Sequence, residues 1–519
     1  MAFSNTIKPM AKAETKPGKE REKGKEERKE GNKEPEAAKG LSIKKDEEFG
    51  EWFSQLIIKA ELIEYTDVSG CYVFRPNSYF IWEQVQQYMN KRFQPLGVKN
   101  CYFPLFIPEH LLLKEQKHVE GFVPEVAWVT HSGKTPLKER LAVRPTSETI
   151  MYETYKKWIR SHRDLPLLLN QWNNVVRWEF KNPVPFIRSR EFLWQEGHTA
   201  HASREDALSE VFTILNIYED TYRECYAVAG IKGQKTEAEK FPGAEMTTTF
   251  EVFVPSGKSL QGCTSHLLGQ NFAKAFDITF TDEKEQQQYI WQNSWGFSTR
   301  TIGATIMMHS DDKGVVFTPR IAPTQVAIVP ILFEKVRDEI LKKANELKDE
   351  LKQAGLRVVL DDRNHTPGSK FYEWELKGVP FRIELGPRDL EKQECVVVRR
   401  DTGKKESLKL KDVKKRLPAL MEQMHQDLFA KSQEVQKKES VHVKNFVDLK
   451  KGVEERKLIF ADWCGHAECE QRITNETPAK ILCLPFQDND PAQGTTPTTG
   501  DCSVCGKKGL VVALVARSY

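Results

Sequence analysis

The sequence predicts an α+β fold: an antiparallel sheet flanked by helices, then an α/β domain, then a C-terminal zinc-binding α+β domain. Three observations carry this. Between residues 46 and 321, strand-like runs follow one another without regular intervening helices, which favours antiparallel pairing over a doubly wound sheet. From residue 322 the rhythm changes to strand–helix–strand–helix–strand. Five of the ten cysteines crowd into the last segment, and four of them form two short-spaced pairs.

The elements follow in order. Residues 1–45 hold 13 Lys and Arg against 8 Asp and Glu. They are nearly free of apolar side chains after Met10, so this tail is expected to be disordered, a solvated leader or a weak electrostatic tether for RNA. It has no apolar core of a secretory signal, and its acids disfavour organelle import. Helical patterns occupy 52–65 and 79–93. Strand-like runs follow at 125–129, 140–143, 173–180, 191–196 and 247–254. The second domain, 322–431, reads as strands at 324–331, 356–362, 379–385 and 394–400, with helices at 334–354, 370–377 and 410–430. A Lys/Glu-rich stretch, 432–440, which links it to a final domain at 432–519, could equally be helical, and 510–516 reads as a buried strand.

Composition narrows the function classes. Eleven Trp and 28 Phe in 519 residues can build large cores, which excludes a wholly disordered chain. Apolar runs such as 326–333 fall far short of the ~20 residues a membrane-spanning helix needs. The net charge of +4 is concentrated in the tail. The scattered arrangement of the first five cysteines is no disulfide framework, which points to a reducing compartment.

Cys464-x4-Cys469 and Cys502-x2-Cys505 can supply four thiolates to a tetrahedral zinc ion, a closed and therefore structural site. Four buried structural thiols are the alternative. Cys483 sits in an apolar run and reads as core; His466 is the other spare donor. The large segment has neither a Walker loop nor a dinucleotide fingerprint. It has arginines in β-like runs: Arg144-Pro145-Thr146-Ser147-Glu148, Arg177-Trp178-Glu179, Arg188-Ser189-Arg190-Glu191-Phe192 and Gly296-Phe297-Ser298-Thr299-Arg300. Arginine in a strand is costly to bury without an anion, so several converging arginines point to a polyphosphate site. Any one alone reads as a surface or salt-bridged group. His198 and His201 share a strand-like run, and no third ligand for a metal is visible near them.

Arg177-x-Glu179, a loop, then Arg188-x3-Phe192 resembles motif 2 of class II aminoacyl-tRNA synthetases. Gly97-Val98-x2-Cys101-x2-Pro104 resembles motif 1, the dimer-forming element, and Gly296-x3-Arg300 resembles motif 3. RPTSE, EFLWQEGHTAH, QGCTSHLLGQNF and NSWGFSTRTIG together resemble the prolyl-tRNA synthetase family. The cysteine-bearing end and terminal Arg517-Ser518-Tyr519 point to its eukaryotic/archaeal type. The resemblance covers about residues 46–519. It implies a class II catalytic domain at 46–321, an anticodon-binding domain at 322–431 and activation of proline with ATP, followed by transfer to tRNA(Pro). It also implies a cytoplasmic homodimer, with no editing insertion between Phe192 and Arg300.

By resemblance, Arg177 and Arg300 are catalytic. Arg177, Trp178, Glu179, Arg188, Ser189, Gln261, Thr264, Ser298 and Arg300 bind ATP, and Gln261 is the protein contact for Mg²⁺. Thr146, Glu148, Arg177, Phe192, Trp194, Glu196, His198 and His266 form the proline pocket. Phe371, Glu375, Arg382 and Arg388 face the anticodon, with residue types that suit base stacking and guanine-edge readout. The terminal Tyr519 is placed near the active site. Three rivals stand beside this reading: an inactive tRNA-binding relative, a zinc-stabilised RNA-binding module, and a threonine-charging enzyme, whose zinc would sit in the amino-acid pocket.

Overall fold

The helical pattern near the start becomes the helix Phe49–Lys59, whose Trp52, Phe53, Leu56 and Ile57 recur at helical spacing and are buried. It ends before the short strand Ile63–Tyr65. The second helix, Pro76–Phe93, begins with Pro at its first position, where no amide donor is lost. The structure, a computed structural model, describes residues 40–116 and 125–519, so the tail expected to be disordered lies outside the described residues through position 39. Residues 41–519 form one compact unit. No helix among the described residues is long and apolar enough to cross a membrane.

The main sheet is built from β1 (Lys99–Asn100), β2 (Leu167–Val176), β3 (Glu191–His201), β4 (Ile231–Gln234), β5 (Met246–Val254), β6 (Lys258–Gly269) and β7 (Trp291–Ser298). From β2 through β7 every neighbouring pair is antiparallel. The span from Phe192 to Arg300 holds these strands, the helix Arg204–Thr221 with a π-helical turn Tyr222–Tyr226 after it, the helix Asn271–Phe276 and a small hairpin of Thr279–Thr281 and Gln287–Tyr289. Helices Pro76–Phe93 and Arg204–Thr221 contribute Trp82, Val85, Ile214, Leu215 and Tyr218 to the core on one face of the sheet.

A second, five-stranded sheet holds β8 (Val326–Pro330), β9 (Val358–Leu360), β10 (Phe381–Leu385), β11 (Glu394–Arg399) and β12 (Lys405–Lys409), in the order β9-β8-β10-β11-β12. The first three strands are parallel and the last two antiparallel. β12 is missing from the sequence reading because KESLK is an alternating, largely exposed edge strand with no apolar run. The closing helix runs over Leu410–Glu439, nine residues beyond the expected end. The Lys/Glu-rich stretch is therefore helix, in keeping with the high helix propensity of those residues. Its buried Ser432 accepts a hydrogen bond of 2.9 Å from the Ala229 amide.

The C-terminal strands β13 (Ser440–Val443), β14 (Leu458–Trp463), β15 (Lys480–Pro485) and β16 (Val511–Ala516) do not make a separate sheet. β15 pairs with β4, Leu484 opposite Gln234 and Pro485 opposite Gly233, which produces one eleven-stranded sheet. The seam requires glycine: a Cβ on Gly233 would lie 2.6 Å from both Cys483 Sγ and the Leu484 carbonyl oxygen. The expected strand near the terminus is β16, flanked by β14 and β15.

Candidate active site

The antiparallel strands β3, β6 and β7 form the floor of a cavity of about 310 Å³. β3 supplies Phe192, Trp194, Glu196 and His198, alternate residues that share one face of the strand. β6 supplies Gln261, Thr264 and His266, and β7 ends in Ser298 just before Arg300. Thr146 and Glu148 enter from the start of the helix Glu148–Trp158, and Arg177 from the residue after β2. Gly296 keeps the floor open, since a Cβ there would meet the Trp194 ring at 3.1 Å.

One end of the cavity is cationic. Arg177 Nε donates to the Pro145 carbonyl at 3.1 Å, and its guanidinium lies over Phe192 and Trp194 at 5.5 and 5.3 Å. Arg300 Nε donates to the Ile187 carbonyl at 2.9 Å and its Nη1 to the Gln261 carbonyl at 3.2 Å. Backbone oxygens thus orient both guanidinium groups without neutralising them. Burial disfavours the Arg300 charge, and Arg177 and Arg188 add repulsion, so the arginine cluster is electrostatically set for an anion.

The other end is acidic. Glu196 accepts hydrogen bonds from the Ser147 amide at 3.0 Å, the Ser147 hydroxyl, Asn173 Nδ2 at 2.6 Å and Gln171 Nε2 at 3.2 Å. Its Oε2 also lies 3.0 Å from His198 Nε2. Burial works against the carboxylate, but His198, Ser147 and Asn173 outweigh it and hold its pKa at about 2. Burial likewise opposes a charged His198, and Glu148 and Glu196 override it, raising the imidazole pKa. Burial, with His198, Arg177 and Lys235 nearby, lowers His266 to about 3, so it is neutral at pH 7. Its Nδ1 lies 2.9 Å from Thr247 Oγ1, and its ring packs against Phe241 at 4.8 Å. Thr146 donates its hydroxyl proton to Glu148.

His198 has more company than the sequence implies: Glu148 and Glu196 offer ligand atoms that all lie within 4.8 Å of one another. Both imidazole nitrogens are already engaged, however, Nε2 by Glu196 and Nδ1 by the Tyr152 hydroxyl at 3.2 Å. His201 pairs with Glu210 instead.

Several arginine-motif residues lie elsewhere. β2 ends at Val176, so Arg177-Trp178-Glu179 is a turn rather than a strand; Pro183 and Pro185 keep the following segment out of the sheet. Trp178 is exposed and carries Arg190 on its face at 4.8 Å, and Glu179 is exposed. Ser189 is buried outside the cavity lining, and Arg188 lines a neighbouring, larger cavity. Arg144 does not join the cluster: it is 1% exposed and donates to the Phe103 and Asn174 carbonyls, each at 2.8 Å. It clamps two backbone segments in place of binding a phosphate.

Sequence reasoning missed Ser294 and the segment from Glu239 to Pro242, which also line the cavity. Ser294 Oγ and Trp194 Nε1 are buried there with no hydrogen-bond partner among the described residues. Only a turn-forming Phe-Pro-Gly marks the missed segment in sequence.

In the second domain Phe371, Glu375 and Arg382 come together. Arg382 stacks on Phe371 at 4.1 Å and bonds Glu375 at 2.8 Å and Glu384 at 2.9 Å. Arg382 is thus buried between two carboxylates. Arg388 is exposed on a separate short helix, Pro387–Glu391, where Asp389 caps the Gly386 amide at 2.9 Å. In the C-terminal segment, Cys464 and Cys469 sulfurs are 3.6 Å apart, Cys464 and Cys505 3.8 Å, and Cys469 and Cys502 4.0 Å. Four thiolates at ~2.3 Å around a tetrahedral zinc ion would be about 3.8 Å apart, so the set fits that metal. Cys483 is buried in β15, outside the cluster.

An antiparallel sheet that holds arginines at one end of a cavity and carboxylates at the other is what the resemblance to class II aminoacyl-tRNA synthetases implies. Comparison with known proteins agrees. A family model for the tRNA synthetase class II core domain (G, H, P, S and T) matches residues 129–309. An anticodon binding domain model matches 325–420, and a prolyl-tRNA synthetase C-terminal model matches 446–519. The cytoplasmic proline–tRNA ligase of Arabidopsis thaliana is 48% identical over 492 residues, which is 93% of this chain and 92% of that protein. The proline–tRNA ligase of Alkaliphilus oremlandii is 48% identical over 91% of this chain and 96% of its own. A crystal structure of prolyl-tRNA synthetase from Cryptosporidium parvum, complexed with halofuginone and AMPPNP, superposes with a TM-score of 0.88 at 46% identity, covering 93% of this chain and all of that one. The chain belongs to the proline–tRNA ligase family.

Proposed function

We propose that the two-ended cavity binds proline as a zwitterion beside the ATP α-phosphate, and that its bipolar charge is the observation that carries this reading. The secondary ammonium has two donors, for which Thr146 and Glu148 offer acceptors. Phe192, Trp194 and His266 wall the apolar ring, and Arg177 meets the carboxylate. Glu196 and His198 brace the pocket floor. The proline carboxylate attacks the α-phosphate; a P–O bond to that oxygen forms, and the P–O bond to the departing pyrophosphate breaks. The nucleophile is already an anion, so catalysis is positioning and charge stabilisation. Arg177 stabilises the α-phosphate oxygens and Arg300, with Arg188, the outer phosphates. Trp178, Glu179, Ser189, Gln261, Thr264 and Ser298 complete the nucleotide reading; Gln261 and Thr264 share the strand of His266. Mg²⁺ accompanying ATP would further neutralise phosphate charge, with Gln261 the residue that would contact it. The terminal ribose hydroxyl of tRNA(Pro) then takes the prolyl group and AMP leaves.

Phe371, Glu375, Arg382 and Arg388 are read as the anticodon-facing set, with Glu375 and Glu384 orienting Arg382. Charging tests the whole reading: with ATP, radiolabelled proline and tRNA(Pro), the chain should form prolyl-tRNA. Phe371→Ala should raise KM for tRNA about tenfold, a stacking loss of about 1–3 kcal/mol, and leave tRNA-independent ATP–pyrophosphate exchange unchanged.

Homodimer formation and a cytoplasmic location belong to the same reading. The short β1 at the end of the sheet, with Tyr102 71% exposed and Phe106 44% exposed beside it, supports an interface there. The name of the Arabidopsis relative supports the location.

Cys464, Cys469, Cys502 and Cys505 would hold one structural zinc, closing its coordination sphere. They sit against a packed core that includes Trp463, Ile473 and Ile481. Cys502→Ser should abolish the one zinc per chain measured by elemental analysis and speed amide exchange across 458–516. Metal-free wild-type protein prepared without chelator would leave the cysteines as core thiols.

Tyr519 is tied to the start of β6. Its amide donates to the Ser259 carbonyl at 3.1 Å, its hydroxyl to Ser256 Oγ at 2.9 Å, and Lys258 lies over its ring at 4.7 Å. Since β6 carries Gln261, Thr264 and His266, deleting residues 518–519 should lower proline activation roughly tenfold, an effect of about 1.4 kcal/mol, with zinc content unchanged. Identical exchange kinetics at matched stability would reduce the terminus to a brace.

A further inference from the structure

The cavity wall formed by the segment from Glu239 to Pro242 is held from outside the cavity, by the C-terminal segment. The chain leaves β4 at Gln234. Lys235 is then buried, and its Nζ donates to Glu251 Oε1 at 2.8 Å and to the Leu482 carbonyl, on β15, at 2.6 Å. Thr236 Oγ1 donates to Glu470 Oε1 at 2.6 Å. Glu470 is 7% exposed and lies on the helix Ala467–Glu476, directly after Cys469. Three residues on, Glu239 pairs with Lys480, the first residue of β15. The turn is wound on the gripped residue: the Thr236 carbonyl accepts from the Lys240 amide at 2.9 Å and the Glu239 amide at 3.2 Å.

At its far end the segment meets the substrate pocket. The Phe241 amide donates to Thr247 Oγ1 at 2.9 Å; the same hydroxyl lies 2.9 Å from His266 Nδ1, and the Phe241 ring packs on the imidazole. Neither Glu470 nor Lys480 lines the cavity.

The geometry points to Glu470 and Lys480 as positioning residues that set the Phe241–His266 wall of the amino-acid pocket from the C-terminal segment. This rests on the reading of the cavity as the proline site. A turn without strand pairing has conformational freedom to lose on each binding event, and external anchors remove part of that cost in advance. The buried bond from Thr236 to a carboxylate is of the stronger kind. Arg177 and Arg300 are oriented by the carbonyls of Pro145, Ile187 and Gln261. Amino-acid binding, and not phosphoryl chemistry, is therefore the step that depends on these anchors.

The test uses the full chain with Glu470→Ala, Lys480→Met and Thr236→Val, the last removing the same hydrogen bond from the opposite side at nearly constant volume. Glu470→Gln keeps an acceptor oxygen and serves as the rescue. The readouts are zinc content, the proline Kd by calorimetry without ATP, and KM for proline, KM for ATP and kcat in ATP–pyrophosphate exchange. The expected result for the first three variants is a proline Kd and KM raised about five- to tenfold, with kcat and KM for ATP within about twofold, and near-complete recovery in Glu470→Gln. Unchanged proline Kd in both Glu470→Ala and Thr236→Val overturns the proposal. So does a matched loss across kcat and both KM values, which marks general damage to the fold. If the unaltered chain shows no proline dependence, the reading of the cavity itself fails, and that result is visible before any variant is compared.

Discussion

Arg177→Ala should slow prolyl-adenylate formation by about two to three orders of magnitude while tRNA binding survives. The guanidinium is held by the Pro145 carbonyl and by the Phe192 and Trp194 faces, so it meets the α-phosphate already oriented. Removing one preorganised donor to a developing oxyanion costs about 3–4 kcal/mol in the transition state. Tertiary structure should tolerate the change, because among the described residues Arg177 has no carboxylate partner whose charge would be stranded: its hydrogen bond there is to the Pro145 carbonyl. Pre-steady-state adenylate formation and filter binding of tRNA measure the two quantities separately. Near wild-type exchange by this variant would show that the motif 2 arginine is misassigned.

Glu196→Ala should destabilise the protein more than any other single change in the cavity. It strands the Ser147 amide and hydroxyl, Gln171, Asn173 and a raised-pKa His198 in a buried site. Breaking a buried ionic network from one side costs about 3–5 kcal/mol, which denaturant unfolding would register as a lowered midpoint at constant slope. The effect should depend on pH. The depressed Glu196 pKa contributes stability that is present above the ordinary carboxyl value of 4.5 and is lost as pH falls through about 2. The raised His198 pKa contributes stability that is fully present below 6.5 and is lost as pH rises through its folded value. The gap between wild type and variant should thus be widest between pH 4.5 and 6.5 and narrow on both sides. A gap independent of pH would mean that Glu196 acts through packing alone.

Much of this site was legible in the sequence, for physical reasons that differ by residue. Phe192, Trp194, Glu196 and His198 sit at alternate positions of one strand, so period two delivers all four to one face once the strand is recognised. The cysteine pairs are legible because a tetrahedral metal site would need four sulfurs from two tight turns, and Gly465 and Gly506, each following a cysteine of the cluster, take the left-handed backbone such turns need.

What was not legible depends on contacts between distant segments. Arg144 has the same local pattern as the cavity arginines, yet its three donors find backbone and amide oxygens of segments far along the chain. Nothing in the local sequence shows that Arg382 is gripped by Glu384, two residues on along the same strand, and by Glu375. The joining of β15 to β4 has no periodic signature; only Gly233 permits it, and a lone glycine in a strand has many explanations. The 239–242 wall is a turn without hydrophobic rhythm, so nothing in its sequence announces that it closes a pocket.

The bipolar cavity is expected to select proline. ATP–pyrophosphate exchange across a panel of amino acids measures this, without tRNA and with each amino acid varied through its KM. Exchange should be supported strongly by proline, with kcat/KM for threonine lower by about four orders of magnitude or more. The cavity offers a flat aromatic wall and acceptors for a ring ammonium, with the His198 nitrogens engaged by protein groups, and such mismatches leave polar groups unpaired. Comparable exchange with threonine or another primary amine, or none with proline, would show that the cavity is not a proline pocket.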